Sequence, residues 1–213
     1  MGALVAGSVL TSRAQSTTAP TADPGPGLIG TTYSEVDLGT QRHEGHPRSV
    51  SDLGFVYNSS VVRSADYGFD ANLFYDYLTG RGEGVHDFRN ELLGGFTGYL
   101  LEPWGKPFVT VDGGWAWQRA GDVSRKGYVY TATSGVEFQV LKNLALTPFI
   151  EYLGEPKFYN HSLPIANFPD YSWDYGVKAT YRIDRDWSAS LTASLDQYRA
   201  SDLGLRAGLS YHF

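Results

Sequence analysis

The sequence predicts an all-β fold, a transmembrane antiparallel up-and-down β-barrel of ten strands, with eight as the alternative count. Three observations carry that expectation. Apolar and polar residues alternate with a period of two over long runs, the signature of strands with one apolar face. The 213 residues include 15 Tyr, 11 Phe, 5 Trp and 25 Gly but a single Met, a composition that suits pleated strands and tight turns. The aromatics of the apolar face gather near the strand ends, with aliphatic and small residues between them.

The organisation follows from the amino end. Residues 2–10 are apolar, and Ser12-Arg13-Ala14 offers small side chains where a signal peptidase reads them, so 1–14 reads as the remnant of a secretory signal. Residues 15–27, rich in Thr, Pro, Ala and Gly, read as a disordered periplasmic tether, and 28–213 as the barrel.

Ten strands are expected, beginning with 28–41, which puts Glu35 and Asp37 on its polar face, and 48–58. Strand 64–78 alternates Phe69, Ala71, Leu73, Tyr75 and Tyr77 against Asp70, Asn72 and Asp76. Strand 86–102 carries Arg89 and Glu91 on the polar face; 107–119 sets Val109, Val111, Trp115 and Trp117 against Thr110 and Asp112. Strand 126–141 opposes Tyr128, Tyr130, Val136 and Phe138 to Thr131, Thr133, Glu137 and Gln139. Strand 143–155 places Glu151 beside an outward Tyr152, and 170–183 alternates Tyr171, Trp173, Tyr175 and Val177 with Asp174, Lys178 and Arg182. Strand 186–199 holds Trp187 and Asp196, and 202–213 sets Leu205, Ala207, Leu209, Tyr211 and Phe213 against Arg206 and His212.

The connections alternate in length. Short ones fall at 58–60, 103–105, 142–143 and 184–186, and longer ones at 43–47, 79–85, 120–125 and 155–169. Short turns on one rim and longer loops on the other are the habit of an up-and-down barrel in an outer membrane.

Alternation alone does not say which face is outside, because a soluble ligand-carrying barrel has the same period with its apolar face inward. The height of the aromatics decides it. One level receives Tyr75, Tyr77, Trp115, Trp117, Tyr128, Tyr130, Tyr171 and Trp173, and the other Trp187, Tyr211 and Phe213. Rings with an apolar body and a polar tip collect at the two levels where lipid meets water. A soluble core has no reason to sort them so.

The closing pattern Ala207-Gly-Leu209-Ser-Tyr211-His-Phe213, together with the alternation through 28–213, resembles the small outer-membrane barrels of diderm bacteria, the OmpA-type and opacity-type "porin family" barrels. The resemblance implies a location in the bacterial outer membrane, contact with lipid and lipopolysaccharide, and reading of Leu209, Tyr211 and Phe213 by the barrel-assembly machinery. It implies little about activity.

The polar face is acidic. Asp70, Asp76, Glu91, Asp112, Glu137, Glu151, Asp174 and Asp196 are expected inside, with Arg89, Lys178, Arg182 and Arg206 as their basic companions. Such a face can be a plug of ion pairs filling a narrow barrel, or the lining of a cation-preferring pore for small solutes. The first, a barrel with a structural or surface-interaction role and an outer-membrane or surface protein as partner, is the favoured expectation. A net charge of -6 argues against a nucleic-acid partner. With 0 Cys, neither disulfides nor thiolate chemistry is expected.

Catalysis and metal binding are weighed and set aside. His43-Glu44-Gly45-His46, with His161 and His86-Asp87 near the same rim, has ligand residue types but no second set fixed by spacing. An omptin-like protease or a lipid A-modifying hydrolase would need a defined His–acid or Ser–His–acid arrangement. His86 and Asp87, as strand neighbours, point to opposite faces. No catalytic residue, metal or cofactor is expected. The loop 155–169, with Phe158, Tyr159 and Phe168, is the candidate contact surface.

Overall fold

A computed structural model describes residues 25–42, 49–82, 85–154, 171–196 and 203–213. Ten antiparallel strands close into one cylinder: β1 (Tyr33–Arg42), β2 (Ser49–Arg63), β3 (Tyr67–Gly82), β4 (Val85–Leu100), β5 (Lys106–Ala120), β6 (Val123–Leu141), β7 (Leu144–Gly154), β8 (Tyr171–Arg182), β9 (Trp187–Asp196) and β10 (Leu203–His212). Each strand pairs with its sequence neighbours, and β1 pairs with β10, from Tyr33 opposite His212 to Arg42 opposite Leu203. No sheet edge is left among these strands, so around the ring the strands satisfy one another's backbone groups.

The outer surface is apolar. Leu38 (64% exposed), Val111 (56%) and Leu191 (56%) stand on it, while Glu35 (2%), Asp70 (1%) and Asp76 (4%) are buried inside. That is the inverse of a soluble protein, and it places the barrel in a bilayer. A closed up-and-down barrel of this kind is an outer-membrane protein of a bacterium.

Two belts of rings mark the lipid–water levels. At the rim of the β5–β6 hairpin, Trp115 packs on Tyr128 with centroids 4.0 Å apart, and Tyr152 lies 4.9 Å from Trp173 and 5.9 Å from Tyr130. At the opposite rim, Tyr211 sits 5.0 Å from Trp187 and 5.2 Å from Phe213, which meets Tyr57 at 6.4 Å.

Four boundaries differ from the sequence reading. The first strand starts at Tyr33, not 28, because 25–31 turns into the barrel mouth. The turn expected at 58–60 is strand: β2 runs on to Arg63 through a bulge between Ser60 and Val62. The true turn is 64–66, where Ser64 Oγ accepts from the Asp66 and Tyr67 backbone N–H groups. The connections expected to be long at 79–85 and 120–125 are short: β3 and β4 stay paired to Gly82 opposite Val85, and β5 and β6 join at Gly121-Asp122, with Gly121 at φ 58°. The expected loops at 43–47 and 155–169, with His43, Glu44, His46, Phe158, Tyr159, His161 and Phe168, lie outside the described residues, as do segments 1–14 and 15–24.

Candidate functional site: the charged lumen and its mouth

Because strand residues alternate, one row from each strand points into the cylinder. The inward rows of β8, β9, β10, β1, β2 and β3 are largely charged or hydroxylic. Lys178 on β8 donates to both Glu35 carboxylate oxygens on β1, at 3.0 and 2.8 Å, and Ser190 Oγ on β9 donates to the same carboxylate at 2.5 Å. Arg206 on β10 is a second hub. Its Nη2 donates to Asp52 at 3.0 Å and Asp76 at 3.1 Å, and its Nε lies 3.4 Å from Asp37. All of these pairs except Arg206–Asp37, which joins the neighbouring β10 and β1, link strands that are not adjacent in the sheet, so they tie the cylinder across its interior.

The inward rows of β3 to β7 add an apolar cluster to their polar residues. Leu93, Ala116 and Val129 are buried together, with Phe74 and Leu153 packed against them. Phe108 and Tyr99 are also buried (8% and 3% exposed). This apolar cluster shares its strands with the charged Arg89, Glu91, Asp112, Glu137 and Glu151.

Of the residues expected in the lumen, Asp76, Lys178 and Arg206 form the hubs just described. Arg89 and Glu91 pair with each other on β4. Glu151 accepts from Thr133 Oγ1 at 2.8 Å, and Thr131 Oγ1 lies 3.4 Å from Asp112. Asp174 stands opposite Glu151 in the β7–β8 register. Arg182, at the rim, donates to the Asp184 carbonyl and contacts the His212 ring, which also meets Ser188 Oγ at 2.8 Å. The side chains of Asp196 and Tyr171, and those of His86 and Asp87, lie outside the description.

Asp70 and Glu137 do something the sequence did not announce. They line the mouth on the side of the short turns and hold the segment that precedes β1. The Glu137 carboxylate accepts from the Leu28 backbone N–H at 2.7 Å and from that of Ile29 at 3.1 Å; Asp70 accepts from Gly30 at 2.9 Å. Lys106 Nζ bridges the Ile29 carbonyl and Glu137, both at 2.9 Å. Asn58 donates to the Thr31 carbonyl at 2.6 Å and to Asp70 at 3.2 Å. Pro26, Gly27, Leu28, Gly30 and Thr31 are all buried. Beside this segment lies an open cleft of about 380 Å³, walled by Gly25–Gly27, the 101–106 turn, Glu137, Gln139 and Ala145.

Sequence reasoning missed Asp52, Asn58, Ser190 and the inward Phe74, Leu93, Tyr99, Phe108 and Val129. The alternation of β2 is a usable signal for Asp52, since Leu53, Phe55 and Tyr57 fix its parity. For the inward apolar residues no signal exists, because their own strands put apolar residues on both faces. Among the described residues no group of His, Asp and Glu is arranged to hold a metal ion.

No family model and no curated relative matches this sequence. Solved structures do. The β domain of the Bordetella autotransporter BrkA is 14% identical, with 86% of this chain and 99% of that chain covered and a TM-score of 0.52. An outer-membrane channel from Pseudomonas putida F1 is 9% identical over 92% of this chain and all (100%) of that one, with a TM-score of 0.45. Ail, the attachment invasion locus protein of Yersinia pestis, is 11% identical over 86% and 97%, with a TM-score of 0.38. What the first of these shares with this chain is its fold.

Proposed function

We propose that this is a small, non-enzymatic outer-membrane barrel, of the kind the OmpA-type and opacity-type barrels represent, whose lumen is closed at rest. Its work is structural and interactive: a rigid cylinder in the envelope that presents loops to lipopolysaccharide, to another outer-membrane protein or to a surface partner. Its last strand, with Leu209, Tyr211 and Phe213, is what the barrel-assembly machinery engages.

The observation that carries this reading is the cross-bracing of the interior. Lys178–Glu35 and Arg206–Asp76 join residues 143 and 130 positions apart, and each spans strands that do not pair. Side chains that reach across a narrow lumen leave little room for water, and the buried Leu93–Val129 cluster takes up more of the interior. A conducting pore needs a continuous wet path, with charge that ions can enter and leave.

Planar-bilayer recording of the refolded chain is the test. A folded, silent barrel is the expected result. Steady channels with a cation-favouring reversal potential would overturn the closed-lumen reading and make the acidic face a conduit.

A further inference from the structure

We propose that residues 25–31 form a removable plug, a built-in gate that closes the lumen at the short-turn mouth. The inference rests on the closed-lumen reading above and adds to the bracing within the barrel a closure at one mouth.

The geometry points to a fitted occupant and not to a chain end laid down by chance. Three successive backbone N–H groups, of Leu28, Ile29 and Gly30, are taken by two carboxylates, and the intervening carbonyl of Ile29 is taken by Lys106. The acceptors lie 109 and 40 residues away from the donors Leu28 and Gly30, on β6 and β3. The segment is thus recognised by its backbone, as a bound peptide would be.

The glycines fit the same account. A Cβ at Gly27 would overlap the Glu137 carboxylate itself. At Gly30 a Cβ would lie 2.7 Å from the Tyr99 hydroxyl oxygen, and the residue holds φ +79°, which L side chains rarely adopt. The segment folds on itself as it enters, the Thr31 N–H donating to the Leu28 carbonyl at 3.2 Å.

Two features make the plug removable. Its anchors are polar, and carboxylates released from backbone donors at a mouth can be satisfied by water. Its flank against the 101–106 turn is not packed but opens on the cleft, which provides the way out. Withdrawal would expose Asp70, Glu137 and Lys106 together and leave a mouth with an excess of negative charge. The gate therefore opens toward cations.

The chain has 0 Cys, so one introduced thiol reports without background. Thr97 is 4% exposed and lies one inward position deeper on β4 than Tyr99, the residue beneath Gly30. In a Thr97→Cys background the label is a water-soluble maleimide, with and without Gly27→Val or Gly30→Val. Both valines lie outside the strands, and an unchanged heat-modifiable gel shift identifies barrels that remain folded.

Each valine should raise the labelling rate of folded protein at least tenfold. Equal rates with and without the valines, or a Thr97→Cys parent that already labels as fast as a free thiol, would overturn the plug. The closed-lumen reading is judged separately, by current through the unsubstituted chain, so the two failures are distinguishable.

Discussion

Glu35 shows what a single inward residue is asked to do. It is 2% exposed, and a carboxylate so placed is tolerable only with its charge matched and its oxygens bonded. Lys178 and Ser190 meet both needs. Lys178→Met removes the match while leaving the carboxylate in place, and should destabilise the barrel by about 3–5 kcal/mol. The double variant Glu35→Met/Lys178→Met should recover most of that loss, which urea unfolding in detergent micelles would measure. Val111, one strand face away from such groups, obeys the opposite rule. It is 56% exposed on the outer surface, between the two aromatic belts. Val111→Arg should cost about 2–4 kcal/mol in lipid, falling toward zero for positions nearer the belts. Equal stability of Val111→Arg and the parent in bilayers would mean that this face does not meet hydrocarbon.

The element where these rules converge is β10. Its outward row, Leu203, Leu205, Leu209 and Tyr211, faces lipid, with Phe213 just beyond its end, while Arg206 and His212 bind the interior. Phe213 also closes an edge-to-face contact with Tyr211 and approaches Tyr57 on β2, across the β1 strand between them. Phe213→Ser removes that belt contact, and the fraction of chain running as the folded band on an unheated gel should fall several-fold. The strands were legible because their composition is one-sided: Phe69 to Tyr77 against Asp70 to Asp76 admits one period. The first hairpin was less legible. Asn58-Ser59-Ser60 has turn-forming residue types, yet Asn58 is 4% exposed and spends its amide on Thr31 and Asp70. Leu28 and Ile29 read as strand for the same local reason. Their partners Glu137 and Asp70 belong to strands far along the chain, and no pattern within seven residues encodes that meeting.

At the scale of the molecule, the interior combines two chemistries. Ion pairs cross between β8, β10, β1, β2 and β3, and an apolar cluster lies on β3 to β7 among charged residues such as Glu91 and Glu151. Glu35 and Asp76 find opposite charges, and Leu93, Ala116 and Val129 find one another. Ion pairs and an apolar cluster thus share one acidic interior. It was only half legible beforehand, because the acidic residues stand out in the alternation, whereas an inward leucine among outward ones does not. At the mouth, two carboxylates serve as a receptor for the chain's own backbone.

The seam between β1 and β10 carries a further meaning. Tyr33 meets His212, and the Phe213 N–H donates to the Thr32 carbonyl at 3.1 Å, so the first and last strands of the cylinder are hydrogen-bonded neighbours. During synthesis the earliest strand must therefore wait, its bonding edge empty, until the latest arrives. In hydrocarbon an empty edge is prohibitive, so the chain has no stable halfway point inside the membrane. Insertion and closure become one event, and a strand lost to proteolysis anywhere in the ring reopens it all.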